Sequence, residues 1–242
     1  EVYARHVILA MPRRSLELLG NASPLLADPT VQNLLGSVTA HPLFKMFLCY
    51  RYPWWKSAGV DAGCSITDMP LRQVYYFGAE PKGPVAYNEE LRDSLVMGSY
   101  DDGPFVGFWT GLADCAPRPL RGMPNGQRWD YFCATPTMIA QAQRQLKLVH
   151  QLEYIPEPYA AAFVDWSVDP FGGGWHSWNI HIKAWEAQAA LRKPRPHWNV
   201  YICGEAYSSH QGWVEGALET AEDILQHEFE LAPPFGEAQG TV

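Results

Sequence analysis

No apolar run in the sequence approaches the roughly 20 residues that a membrane-spanning helix requires, so the expectation is a soluble chain of unknown compartment. Basic residues are few, 18 Lys and Arg against 26 Asp and Glu for a net charge of -8. They form no stripe, which argues against a nucleic-acid footprint. The five cysteines (Cys49, Cys64, Cys115, Cys133 and Cys203) are an odd number without paired spacing, so neither a disulfide framework nor a Cys-x-x-Cys metal knuckle is implied. His176 and His181 have no cysteine or carboxylate at ligand spacing, so no metal site is expected. There is no Gly-x-Ser-x-Gly elbow for a hydrolase. A Gly-x-Gly-x-x-Gly fingerprint is also missing. The dense run Gly172, Gly173, Gly174 has Ser177 where the last glycine would fall, and it lacks a strand–helix setting.

Aromatic residues, by contrast, are abundant: 13% of the chain, with 10 Trp. Such an excess lines a site for a flat ligand or fills a core, and composition leaves both open. At 242 residues, 47% hydrophobic and 18% charged, the chain is globular, one large domain or two small ones. The triplet Asn21-Ala22-Ser23 fits a glycosylation sequon but decides little. Near the N-terminus, Val7 to Ala10 is a continuous apolar run ended by Pro12 and reads as a strand buried on both faces. With no initiator Met or leader before it, the expectation is that a preceding segment has been lost by processing or truncation.

Arg13 to Leu35 reads as a helical or irregular crossover, with Ser15 as a cap and Gly20 as a stop. Strands are expected at Lys45 to Tyr52, Gln73 to Phe77, Ser94 to Tyr100 and Phe105 to Thr110, in an antiparallel or mixed sheet. Thr135-Pro136 caps and starts a helix whose Ile139, Ala142, Leu146, Val149 and Leu152 follow helical spacing. Phe163 to Trp185, dense in Trp and Gly, reads as loop-rich. Asn199 to Gly204 reads as a short buried strand. A helix from about Gly212 to Gln226 follows, with Val214, Ala217, Leu218, Ala221, Ile224 and Leu225 on its packed side. Strand, glycine-bearing turn and helix together offer a helix N-terminus with free N–H groups. The tail after Leu231 is expected to fray.

The segment Gly204-Glu205-Ala206-Tyr207-Ser208-Ser209-His210-Gln211-Gly212-Trp213-Val214-Glu215-Gly216-Ala217 resembles the C-terminal flavin motif of the flavin amine oxidases, closest to the L-amino-acid oxidases. Lys45-Met46-Phe47-Leu48-Cys49-Tyr50-Arg51-Tyr52-Pro53-Trp54-Trp55 is similar to the same family's strand lysine followed by paired aromatics. Thr67-Asp68-Met69-Pro70, Arg72 and Tyr75-Tyr76 resemble the L-amino-acid oxidase continuation, and Tyr100 matches that subgroup's carboxylate-binding tyrosine. Asp165-Trp166-Ser167, Asp169 and the glycine run resemble the return from substrate domain to flavin domain. Beyond them, Trp175-His176-Ser177-Trp178 departs from the animal enzymes.

The resemblance spans nearly the whole chain but only the C-terminal portion of such an enzyme. It implies a mixed α/β (α+β) fold: a mixed-sheet substrate domain plus the closing strand and helix of a Rossmann-like FAD domain. The implied boundaries are 1–36 for a flavin-domain strand and crossover, 37–165 for the substrate domain, 166–231 for the C-terminal flavin-domain part and 232–242 for a tail. The implied activity is oxidative deamination of an L-amino acid to a 2-oxo acid, ammonia and hydrogen peroxide. A flavin amino-acid monooxygenase, a monoamine or polyamine oxidase, and a non-catalytic subunit are the alternatives. Lys45 is implied as the catalytic residue, orienting water at the flavin. Tyr100, Gly212, Trp213 and His176 are implied in substrate binding. Trp166, Gly204, Glu205, Gln211, Gly212, Trp213 and Val214 are implied in binding FAD. Implied partners are an N-terminal FAD-binding chain of the same enzyme and further copies in an oligomer. This chain alone is not expected to hold FAD.

Overall fold

The computed structural model describes residues 3–20, 22–79, 93–113, 133–168 and 173–233. Asn21, Cys115, Asp169, Gly172 and the tail from residue 234 lie outside them. The chain forms two compact units, Leu43–Asp165 and the pair Glu1–Pro42 with Trp166–Val242.

The Leu43–Asp165 unit is built on a five-stranded sheet. Its strands are β3 (Phe44–Tyr50), β4 (Gly63–Ile66), β5 (Gln73–Ala79), β6 (Ser94–Asp101) and β7 (Ala160–Asp165), in spatial order β4-β5-β6-β3-β7. Every pairing in it is antiparallel. The alternation expected along β3 is present: Phe44, Met46, Leu48 and Tyr50 are fully buried, while Lys45, Phe47 and Cys49 on the opposite face are half-buried. Helix α4 (Pro136–His150) starts where Thr135-Pro136 indicated, the Thr135 hydroxyl accepting the Met138 N–H at 3.1 Å. Its Met138, Ala142 and Leu146 pack into one core with Trp54, Trp55, Trp109 and the buried face of β3.

The segment expected as a strand from Phe105 to Thr110 is instead helix α3 (Val106–Leu112). Its two buried residues, Val106 and Trp109, are three apart and share a helical face, whereas a strand would turn them to opposite sides. The Trp109 indole donates to the Pro70 carbonyl at 2.7 Å and its ring stacks on Phe44, so tertiary packing selects the helix.

In the other unit, β1 (Val7–Ala10) pairs in parallel with β9 (Val200–Cys203), Val7 opposite Val200. The strand forms as expected, but not its burial on both faces. Val7 and Ile8 are 40% and 43% exposed, because β9 is its only strand neighbour among the described residues. Helix α1 (Arg13–Gly20) contains Ser15 in its first turn rather than being capped by it. Helix α2 (Pro29–Leu35) is capped by Asp28, which accepts the Thr30 N–H at 2.8 Å. Part of the expected loop is strand. Trp175–Trp178 forms β8, antiparallel to β2 (Val38–His41), and this pairing puts residues 37–42 with the flanking segments.

Helices α5 (Ala184–Arg192) and α6 (Val214–Phe229) complete this unit. The packed face of α6 includes Ile224 as expected but is rotated: Gly216 and Thr220 are buried with it, while Val214 and Leu218 are 66% and 64% exposed. The preceding loop lies directly on Gly216, where a Cβ would overlap the Ser208 hydroxyl, and Thr220 takes the Gly204 N–H at 2.9 Å. Close approach at Gly216 and the Thr220 hydrogen bond turn this face inward together with Ile224, which packs on Tyr201 and Cys203. Among the described residues no helix is long and apolar enough to cross a membrane.

Candidate active site

In the Leu43–Asp165 unit, Lys45 stands directly opposite Tyr100 in the β3–β6 register. Register partners share a sheet face, and the Lys45 ammonium lies 4.8 Å from the Tyr100 ring centroid, within cation–π range. Two residues singled out from distant parts of the sequence are thus brought together. The Tyr75 ring is 6.1 Å from that of Tyr100. Burial foremost, with the neighbouring Tyr75, pushes the Tyr100 hydroxyl above its ordinary value of 10.0, while Arg72 opposes the rise, so Tyr100 remains a hydrogen-bond donor at neutral pH.

In the other unit, strand β9 is followed by Gly204, whose φ of 140° suits only glycine. Glu205 follows, and its carboxylate is the hub of the turn. Oε1 accepts the Gly212 N–H at 2.6 Å and the His176 N–H at 3.0 Å, and Oε2 accepts the His176 Nδ1–H at 2.8 Å. Burial alone would raise the Glu205 carboxyl. The His176 side chain, the Gly212 N–H and the His176 N–H outweigh it and hold the group below its ordinary 4.5. His176, implied in substrate binding, is 1% exposed, with Nδ1 turned to Glu205. Gln211 is likewise engaged, taking the Trp178 N–H at 3.0 Å and donating to the Ala206 carbonyl at 2.6 Å. Gly212 has φ of 85°, with the Trp175 ring 3.9 Å from where a Cβ would sit.

Trp213, 70% exposed, precedes α6 and makes no side-chain cap hydrogen bond. Trp166 is 37% exposed, and its carbonyl accepts the Gly173 N–H at 3.0 Å. Two buried nitrogens beside this turn, Trp175 Nε1 and His176 Nε2, have no hydrogen-bond partner among the described residues.

Sequence reasoning missed the partner of Glu205. The contact with His176 spans 29 positions, and no local pattern announces it. It also passed over Gln73, which shares the row of Lys45 and Tyr100; period-2 alternation back from Tyr75 would have found it.

The family described as flavin containing amine oxidoreductase matches residues 1–224 of this chain. Aplysianin-A of Aplysia kurodai is 28% identical over 247 residues, covering 96% of this chain and 41% of that protein. The flavin-dependent L-tryptophan oxidase RebO of Lentzea aerocolonigenes is 25% identical, covering 89% and 40%. The L-amino acid oxidase Bs29 of Bothriechis schlegelii is 23% identical, covering 90% and 38%. The chain thus spans 38–41% of the length of these relatives. A solved putrescine oxidase double mutant from a redesign of cofactor binding shares the fold, with a TM-score of 0.60 at 17% identity, over 93% of this chain and 43% of that one. The mixed α/β architecture is accordingly part of the amine oxidase fold, and the chain belongs to the flavin containing amine oxidoreductase family.

Proposed function

We propose that this chain supplies the C-terminal half of the active site of an FAD-dependent L-amino-acid oxidase, acting with an N-terminal FAD-binding chain or segment of the same enzyme. The observation that carries the reading is Tyr100, a hydroxyl donor beside the Lys45 ammonium on one sheet face. A carboxylate finds a charge-assisted partner there, and a simple amine does not.

The residues around Glu205 fit a flavin. The N-terminus of α6 offers N–H groups and a positive dipole end to the electron-rich edge of the ring system. The orphaned nitrogens of Trp175 and His176 are polar groups awaiting a partner. When bound, FAD supplies the hydride acceptor for the substrate α-carbon and, with oxygen, the route to hydrogen peroxide.

This chain's own residues bind, orient and exclude water. Tyr100 donates to the substrate carboxylate. Lys45 holds a water for the steps that follow oxidation. The Gly212 carbonyl orients the amino group, and Trp166 and Trp213 wall the ring. Gly204, Gln211 and Val214 shape the cofactor side of the turn. Glu205 acts by holding Gly212 and strand β8 in place.

Product analysis on the complete enzyme tests the reading. The standard L-amino acids should give 2-oxo acid, ammonia and peroxide. An amide with carbon dioxide would assign a monooxygenase instead, and turnover of amines alone would assign an amine oxidase.

A further inference from the structure

Across the central sheet, Gln73, Tyr100, Lys45 and Val164 stand in one row on β5, β6, β3 and β7. Their side chains share a face. Its neighbouring positions are largely apolar, with Phe47 and Met97 partly buried and Phe77 40% exposed, so a glutamine is not needed there for packing.

The carboxamide of Gln73 is held in one orientation. The Tyr75 hydroxyl donates to Gln73 Oε1 at 2.6 Å, which engages the oxygen and leaves Nε2 with two N–H donors. Among the described residues these meet no acceptor. The backbone before Gln73 is equally fixed. Arg72 has φ of 52°, donates its N–H to the Met69 carbonyl at 2.8 Å and accepts the Thr67 N–H at 2.7 Å. Its guanidinium pairs with Asp102, which removes that carboxylate as a competitor for the row's donors. The other nearby carboxylate, Asp101, is fully buried, one position along from Tyr100 and so on the opposite sheet face. The row therefore presents an ammonium, a phenol and an amide N–H₂ side by side, with the acidic groups engaged or turned away.

We propose that Gln73, oriented by Tyr75, is a second hydrogen-bond donor to the substrate carboxylate beside Tyr100, and so a residue that sets preference for amino acids over amines. This rests on the reading of Tyr100 given above. The amide adds a donor without adding charge, and Tyr75 is its positioning residue.

The test uses the complete flavin-loaded enzyme. The substrates are its best standard L-amino acid and the amine that decarboxylation of that amino acid gives, with flavin content and Tm confirming that each variant folds. Gln73→Leu should lower kcat/KM for the amino acid about tenfold, the loss of one hydrogen bond to a charged acceptor, and change that for the amine less than twofold. Gln73→Glu, nearly isosteric, should cost the amino acid at least ten times more than Gln73→Leu, because it sets carboxylate against carboxylate. Tyr75→Phe should fall between wild type and Gln73→Leu. If Tyr100→Phe discriminates amino acid from amine while both Gln73 variants affect the two equally, Gln73 is not a carboxylate donor and the inference is overturned alone. If no variant discriminates, the reading of Tyr100 fails and takes the inference with it.

Discussion

The Gly212 N–H donates to the Glu205 carboxylate at 2.6 Å, closing the turn between β9 and α6 on itself. The same carboxylate holds both the backbone and the imidazole of His176 on β8. One acidic side chain thus fixes the residue before Trp213 and the strand beside it. Glu205→Ala leaves these N–H groups without their acceptor and should destabilise the protein by about 2–4 kcal/mol. Glu205→Gln, which keeps one oxygen, should cost less. Denaturant titration of the variants checks the order. Because the folded carboxyl lies below its ordinary 4.5, its contribution is present above that pH and lost as the pH falls through the depressed value.

Gly216→Ala probes the other restraint on the turn. Alanine raises helix propensity by up to about 1 kcal/mol, but the new Cβ collides with the Ser208 hydroxyl and the His210 carbonyl, and one of the two is backbone. Overpacking of this kind costs about 1–3 kcal/mol. The expected outcome is a net loss of stability together with reduced flavin content, because the displaced loop carries Gly212. Tm and the flavin-to-protein ratio measure both. A stabilised variant with full flavin content would contradict the packing account.

How far the sequence reveals this arrangement depends on the range of each interaction. The strand holding Lys45 and the helix start at Thr135-Pro136 rest on local alternation and capping, and both are present. Helix α3 is hidden because Val106 and Trp109 make too short a pattern to outweigh its β-favouring neighbours. Strand β8 is hidden because Trp175 to Trp178 carry no apolar alternation, and their pairing is with β2, far away in the chain. The rotation of α6 is hidden because hydrophobic periodicity points to Val214 and Leu218, while a glycine contact and a threonine hydrogen bond to Gly204 turn Gly216 and Thr220 inward. Long-range and polar constraints leave little trace in periodicity.

His150, at the end of α4, supplies a pH test of the Leu43–Asp165 unit. Its Nε2 and the Tyr76 hydroxyl share a hydrogen bond at 2.6 Å, and the Trp54 ring meets the imidazole edge-on. Burial pushes its pKa below the ordinary 6.5, and the unfolded chain therefore takes up the proton first. Stability is fully present above pH 6.5 and declines as the pH falls toward the depressed value, by at most about 1.4 kcal/mol per pH unit. His150→Gln, which still offers Tyr76 an acceptor, should flatten that part of the profile. Equal slopes in the two proteins between pH 7 and 5 would show that His150 does not titrate on unfolding.

Tyr100→Phe in the complete enzyme reads out whether this chain contributes a carboxylate-recognising half-site. Removing a hydroxyl that donates to a charged acceptor costs about 1.5–3 kcal/mol, about ten- to a hundredfold. The measurement is kcat/KM for an amino acid and for its decarboxylated amine in both proteins. The expected result is a ten- to hundredfold loss, about 1.5–3 kcal/mol, on the amino acid with the amine almost unchanged. Equal losses on the two substrates would show that Tyr100 only supports the sheet, and would contradict the assignment to amino-acid oxidation.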